Sequence, residues 1–132
     1  MPGRKWAKVV VCVADGEPIQ AVIPAPSMVN LDRLLELTGG SEIRLAEEDE
    51  LHRLFPDCDR GAVPPLGPIY DQLVFADVSL ATEPEIVFSA GTHIDAIAMR
   101  WADYARTVKP IVGKFAKPST DRVPEYHLSF RE

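Results

Sequence analysis

Residues 7–24, AKVVVCVADGEPIQAVIP, place two valine- and isoleucine-rich runs on either side of Asp15-Gly16. β-Branched side chains are stiff in a helix but pack well on a pleated surface, and Asp-Gly tolerates the positive φ of a two-residue hairpin turn. The stretch predicts antiparallel strands over 7–14 and 18–24. Because side chains alternate along a strand, Lys8 falls on the face that carries Trp6, Val10 and Cys12. A buried ammonium without partners is expensive, so Lys8 either snorkels past a sheet edge or points into a polar cavity.

Working outward, Asn30 is a good N-cap, Val29 and Leu34 stand where a hydrophobic staple would, and Leu31, Leu34 and Leu35 recur at helical spacing up to Gly39-Gly40. A short strand is expected over 42–45. The acids at 47–50 then start a second helix, where they complement the N-terminal dipole. Leu51, Leu54 and Phe55 form its apolar stripe, and Pro56 stops it. Strands are expected over 72–77 and 85–90, followed by a break at Gly91-Thr92 and a strand over 93–100. Trp101, Tyr104, Ala105 and Val108 share one face of a helix that ends at Lys109-Pro110 and covers a sheet. At that spacing the aromatics read as core rather than as a base-stacking platform. From 116 to 132 the chain is polar, with Pro118 and Pro124, and is either mobile or adds an edge strand over 126–130.

The chain has 132 residues, 46% of them hydrophobic, and a formal net charge of -6. This length fits one domain spanning residues 1–132 around a single core. No apolar run reaches membrane-spanning length and the first residues lack a signal-peptide pattern, so a cytoplasmic protein with no membrane partner is expected. Two cysteines, Cys12 in an apolar run and Cys58 in a loop, do not make a disulfide framework. The acidic balance disfavours nonspecific coating of a nucleic-acid backbone, but leaves room for local contact with one RNA end. Basic residues gather at Arg4, Lys5 and Lys8, and again at Arg100, Arg106, Lys109, Lys114 and Lys117.

Between Leu54 and Gly67 the sequence LFPDCDRGAVPPLG stacks three prolines and two glycines. Such a segment is neither helix nor central strand but a stiff, exposed bend, either a plain connector or the wall of a site. No nucleophile elbow, Ser-His-Asp order, phosphate-binding glycine motif or carboxylate pair stands out. His52, Cys58, His93 and His127 show no paired ligand spacing, so neither a metal nor a cofactor is expected. A Cys58–His93 thiol nucleophile would need the loop to bring sulfur against imidazole, with no third orienting group in sight. What remains is Lys8 on a strand, the loop from Gly61 to Pro65, and the turn Gly91-Thr92-His93.

The segments RKWAKVVVCV, LTGGSEIRLAEEDELHRLFPDCDRGAVPPLG and IVFSAGTHIDAIAMRWADY, in this order, resemble the YbaK/EbsC family of aminoacyl-tRNA deacylases. That family includes the editing insertion domain of bacterial prolyl-tRNA synthetases and its free-standing relatives. The resemblance runs from about Gly3 to Phe115. It implies an α+β fold, a curved, mixed and mostly antiparallel, barrel-like β-sheet with short helices packed around it, and a pocket that hydrolyses the ester of mischarged aminoacyl-tRNA. Lys8 matches the family's strand lysine, associated with catalysis and with the terminal adenosine end of tRNA. Gly61 and Pro65 match the ends of its GxxxP loop, with Ala62 and Val63 between them. His93 falls at the pocket histidine, and Gly91 and Thr92 belong to the same turn. The implied catalytic set is Lys8, Gly61 and His93, and the implied substrate-binding set is Pro65, Ala62, Val63, Gly91 and Thr92.

The partner so implied is the acceptor end of aminoacyl-tRNA, delivered by a synthetase or elongation factor because the acidic chain is poorly suited to tight capture of tRNA alone; the oligomeric state stays open, with a dimer compatible. Relatives carry a helical segment ahead of the lysine strand, whereas seven residues precede Lys8 here. This departure implies a more open pocket, one covered by a partner subunit, or a start further upstream. Two other readings stand beside the deacylase: a catalytically silent module using the same pocket for a nucleotide, an aminoacyl group or a partner protein, and a small-ester or thioester hydrolase using Cys58.

Overall fold

The computed structural model describes residues 4–59 and 61–118. Strand β1 (Arg4–Ala14) and strand β2 (Glu17–Pro24) form the expected hairpin, in register from Ala7↔Pro24 to Ala14↔Glu17. Asp15 and Gly16 both take positive φ, 49° and 84°, as the primed turn requires. After β3 (Ser27–Val29), helix α1 (Leu31–Thr38) is capped by the Asn30 side chain, which accepts the Arg33 N–H, and ends at Gly39. Strand β4 (Ile43–Leu45) leads into α2 (Glu48–Leu54). The Glu47 N–H donates to Glu50 at 2.7 Å, and the Arg44 guanidinium grips the same carboxylate through two bonds, drawing the Glu50 carboxyl down to about 2.

A 3-10 turn (Gly67–Tyr70) precedes β5 (Leu73–Asp77), and a second (Val78–Thr82) precedes β6 (Glu85–Ser89). Strand β7 (Ala96–Arg100), helix α3 (Trp101–Val108), β8 (Ile111–Gly113) and β9 (Ala116–Pro118) complete the described chain. The strand expected from His93 thus begins at Ala96. Residues 92–95 are instead a turn in which the Thr92 hydroxyl donates to the Asp95 carboxylate at 2.5 Å and accepts the Asp95 N–H. The polar segment from Ala116 starts as a strand paired antiparallel with β3. The expected edge strand over 126–130 lies outside the described residues.

The main sheet runs β7-β6-β1-β2-β5-β8, with β4 added to β1. It is mixed, antiparallel at β1–β2, β1–β4 and β6–β7, parallel at β1–β6, β2–β5 and β5–β8. Alternation divides the core between the two faces. Ala7, Val22, Ala76, Ile86 and Phe88 pack with Tyr104 and Val108 of α3, so this helix covers the sheet as its spacing predicts. Cys12, Ile19, Ala21, Ile23 and Phe75 pack with Leu34 of α1 and with Phe115 on the other face. Tyr104 is fully buried and Trp101 lies half-buried against the first cluster, which makes both aromatics structural.

The edge of β1 opposite β2 is shared by two strands. Strand β6 runs parallel to Arg4–Trp6, while β4 runs antiparallel to Cys12–Ala14, so the two strands approach each other along one edge from opposite ends. Between them β1 exposes a gap closed at one end by the Ala46 N–H, which donates to the Val11 carbonyl. Lys8 lies in this gap, two residues beyond Trp6, just as Ser89 lies two residues beyond its partner Val87. The C-terminal ends of β4 and β6 therefore point toward each other along this edge of β1.

Candidate functional site

The Pro/Gly loop follows α2 and a turn follows β6, and backbone hydrogen bonds join the two. The Ala62 N–H donates to the Asp59 carbonyl at 3.0 Å, closing a tight turn in which Gly61 takes φ 78°. A side chain at that φ is strained, so glycine suits this position. The Gly91 N–H donates to the Ala62 carbonyl (2.9 Å), and the Asp59 N–H donates to the Gly91 carbonyl (2.7 Å). The Asp59 carboxylate then accepts the His93 N–H at 3.1 Å. The junction sets the Gly61 backbone against the imidazole, since a methyl group built on Gly61 would lie 3.8 Å from His93 Cε1.

Both ends of the loop are anchored. Phe55 is buried and its ring meets Tyr70 edge-on, with centroids 4.7 Å apart. At the far end the Tyr104 hydroxyl donates to the Pro65 carbonyl at 2.6 Å, and Gly67 packs so tightly on Val74 and the Gln72 carbonyl that a Cβ would overlap them. Burial holds the Tyr104 phenol well above its ordinary range, so it remains a donor.

Beside this junction lies a pocket of about 50 Å³ lined by Glu48, Leu51, His52 and Phe55 from the α2 side and by Cys58, Asp59, Gly61 and Val63 from the loop. The structure thus brings Gly61, Ala62, Gly91, Thr92 and His93 into one junction and puts Gly61 and Val63 on the pocket wall. Ala62 and Pro65 are buried, and they contribute through backbone carbonyls that accept from Gly91 and Tyr104. Thr92 is engaged with Asp95. Lys8, half-buried on β1, is outside the pocket lining.

Sequence reasoning did not single out Asp59 or Tyr70. Asp59 had a readable signal, an acid opening a Gly-containing turn, but the turn's partner lies across the fold. Tyr70 places its hydroxyl 3.5 Å from Cys58 Sγ, and burial together with that contact raises the phenol to about 12. Cys58 Sγ also approaches Gly91, at 4.0 Å from a Cβ built there. The other thiol, Cys12, is buried and pushed up to about 11, as expected of a core residue. Among the described residues no group of three or more His, Cys, Asp or Glu is arranged to hold a metal ion, and no helix is long and apolar enough to cross a membrane.

Residues 1–107 match the profile of the aminoacyl-tRNA editing domain family. A proline–tRNA ligase of Maridesulfovibrio salexigens is 30% identical over 98 residues, which are 72% of this chain and 17% of the ligase. The chain therefore spans about a sixth of that curated relative. Among solved structures, a proposed trans-editing enzyme for prolyl-tRNA synthetase superposes with a TM-score of 0.74 at 21% identity, covering 85% of this chain and 70% of that one. A proposed signal transduction protein from Marinobacter aquaeolei superposes with a TM-score of 0.70 at 18% identity, covering 85% of this chain and 25% of that one. At these identities the two structures establish the shared fold.

Proposed function

The chain belongs to the aminoacyl-tRNA editing domain family, and from that premise we propose that it hydrolyses the ester joining a wrong amino acid to tRNA. The observation that supports this reading is the junction of the Gly61 turn with Gly91 and His93, beside a small pocket. In the reaction a water oxygen bonds to the ester carbonyl carbon, the carbon–oxygen bond to the ribose breaks, and a proton of the water ends on the ribose oxygen. The products are free amino acid and uncharged tRNA.

An ester is already activated relative to an amide, so the protein's task is to position water and stabilise the developing oxyanion. Backbone groups around Gly61 and Gly91 orient the aminoacyl group and the water, with the neighbouring hydroxyl of the terminal ribose assisting. Lys8 supplies positive charge to a phosphate or to the oxyanion. His93 shapes the pocket and contacts the amino acid. Ala62 and Pro65 hold the wall from behind it, while Val63 and Thr92 border the bound acyl group. A pocket of this size suits a short side chain; alanine, serine, threonine, cysteine and small nonprotein amino acids are the candidate acyl groups, and Thr92 and His93 favour those bearing a hydroxyl.

The test is ester loss from tRNA(Pro) charged separately with alanine, serine, threonine or cysteine, alongside other mischarged tRNAs. Turnover of at least one is the expected result. A folded protein that turns over none is the silent binding module, and the deacylase reading falls. Cys58→Ser is expected to retain activity within about threefold, because the thiol is paired with Tyr70 rather than with an imidazole base, and a hydroxyl keeps that pairing. An inactive, folded Cys58→Ser protein would restore the thiol mechanism.

A further inference from the structure

We propose that Asp59 is a positioning residue for the deacylation site, its carboxylate setting the place of His93 and its backbone tying the Gly61 turn to the Gly91 turn. The inference rests on the editing reading above. Asp59 uses three separate groups on three partners. Its N–H donates to the Gly91 carbonyl at 2.7 Å, its carbonyl accepts the Ala62 N–H at 3.0 Å, and its carboxylate accepts the His93 N–H at 3.1 Å. With the Gly91 N–H on the Ala62 carbonyl at 2.9 Å, these bonds form a closed ring around the point where the two loops meet.

The carboxylate is the part of this ring that the side chain controls. The two backbone bonds join the loops at Gly91, and the side chain makes one further tie, two residues along, to the residue that faces Gly61. Ordinary loop stability does not require that second tie, because both loop ends are anchored elsewhere, by Phe55 on Tyr70 and by Tyr104 on Pro65. What it adds is a fixed position of the His93 backbone, and through it of the ring whose Cε1 lies 3.8 Å from a Cβ position on Gly61. A carboxylate accepting a backbone N–H makes a stronger bond than a neutral acceptor. Asp59 also lines the pocket, so the link lies at the site itself. Since misplacement of about 1 Å costs on the order of 100-fold in rate, one such bond has a measurable catalytic effect.

The test compares wild type, Asp59→Ala and Asp59→Asn on the member of the tRNA(Pro) panel that wild type hydrolyses fastest, together with backbone amide hydrogen exchange. Asp59→Ala is expected to lower kcat by about 10- to 100-fold with KM near that of wild type. Asp59→Asn, which keeps an oxygen acceptor for the His93 N–H, is expected to recover to within about fivefold of wild type. The His93 amide should exchange at least about tenfold faster in Asp59→Ala, with the Val87 amide in β6 unchanged. Unchanged kcat in Asp59→Ala, an equal loss in Asp59→Asn, a loss confined to KM, or an unaltered His93 amide would each overturn the assignment. Wild type inactive on the whole panel is a failure of the editing reading; the His93 exchange then still decides whether Asp59 holds the turn.

Discussion

Lys8→Ala is expected to lower ester hydrolysis by about 100-fold while leaving the fold intact. The magnitude is that of removing one preorganised group aimed at developing charge, on the order of 100- to 1000-fold in kcat. The site of the change is favourable for such an effect. Lys8 is half-buried on β1, in the gap where β4 and β6 run toward each other, and the loop after α2 meets the turn after β6 through Asp59 and Gly91. A positive charge at a half-buried position acts through a lower effective dielectric than one on the open surface. The hairpin itself does not depend on the ammonium, because its register is held by backbone pairing to β2 and by the apolar residues on both faces. Lys8→Met keeps the length of the stem and removes the charge, so the two variants should lose activity together if charge is what matters. Circular dichroism and a thermal melt establish that each is folded. A folded Lys8→Ala protein that deacylates at the wild-type rate would take Lys8 out of the mechanism.

The largest effect on stability is expected from Asp77→Ala, a loss of about 3 kcal/mol, with a fall in Tm on the order of 10 °C. Asp77 is 3% exposed at the end of β5. One carboxylate oxygen accepts the N–H groups of Phe115 and Ala116, both at 2.8 Å, and the other accepts the Ser79 N–H and hydroxyl. It thereby caps the 3-10 turn and fixes the segment whose Phe115 fills one of the two cores. Alanine leaves the Phe115 N–H buried without this acceptor. Asp77→Asn keeps one oxygen and should lose less.

Burial raises the Asp77 pKa, but the bonds from Ser79, Ala116 and Phe115 outweigh it and the net shift is downward. A carboxyl whose folded-state pKa lies below its unfolded value stabilises the fold fully above the unfolded pKa, and that contribution is lost as pH falls through the folded one. Wild type should therefore lose stability below about pH 4, and Asp77→Asn should flatten part of that slope in acid titrations of Tm. A slope unchanged in Asp77→Asn would show that other carboxyls govern the acid limb.

The elements legible in the sequence were those whose cause is local. The β1–β2 hairpin followed from Asp15-Gly16 between β-branched runs, α1 from its Asn30 cap, and α3 from the spacing of Trp101, Tyr104 and Val108. Residues 93–95, expected to open the strand, belong instead to a turn because Thr92 and Asp95 pair through side chains, whereas the apolar alternation of residues 94–99, IDAIAM, runs straight through Asp95. Strand alternation singled out Lys8, family resemblance alone implied a catalytic set of Lys8, Gly61 and His93, and the structure sets Gly61 against His93 while Lys8 is outside the pocket lining. Asp59 and Tyr70 were missed because what marks them is a partner 34 residues away for Asp59 and 12 away for Tyr70.

Local chemistry along the chain determined that residues 7–24 would be a hairpin carrying a lysine on an apolar face, and that residues 54–67 would be a stiff bend, since φ restrictions and side-chain alternation act between near neighbours. Only the tertiary structure decided that the bend lines a pocket and is bonded to the turn after β6. That outcome depends on β4 and β6 sharing one edge of β1 from opposite directions, which no local preference encodes and which long-range strand pairing alone brings about.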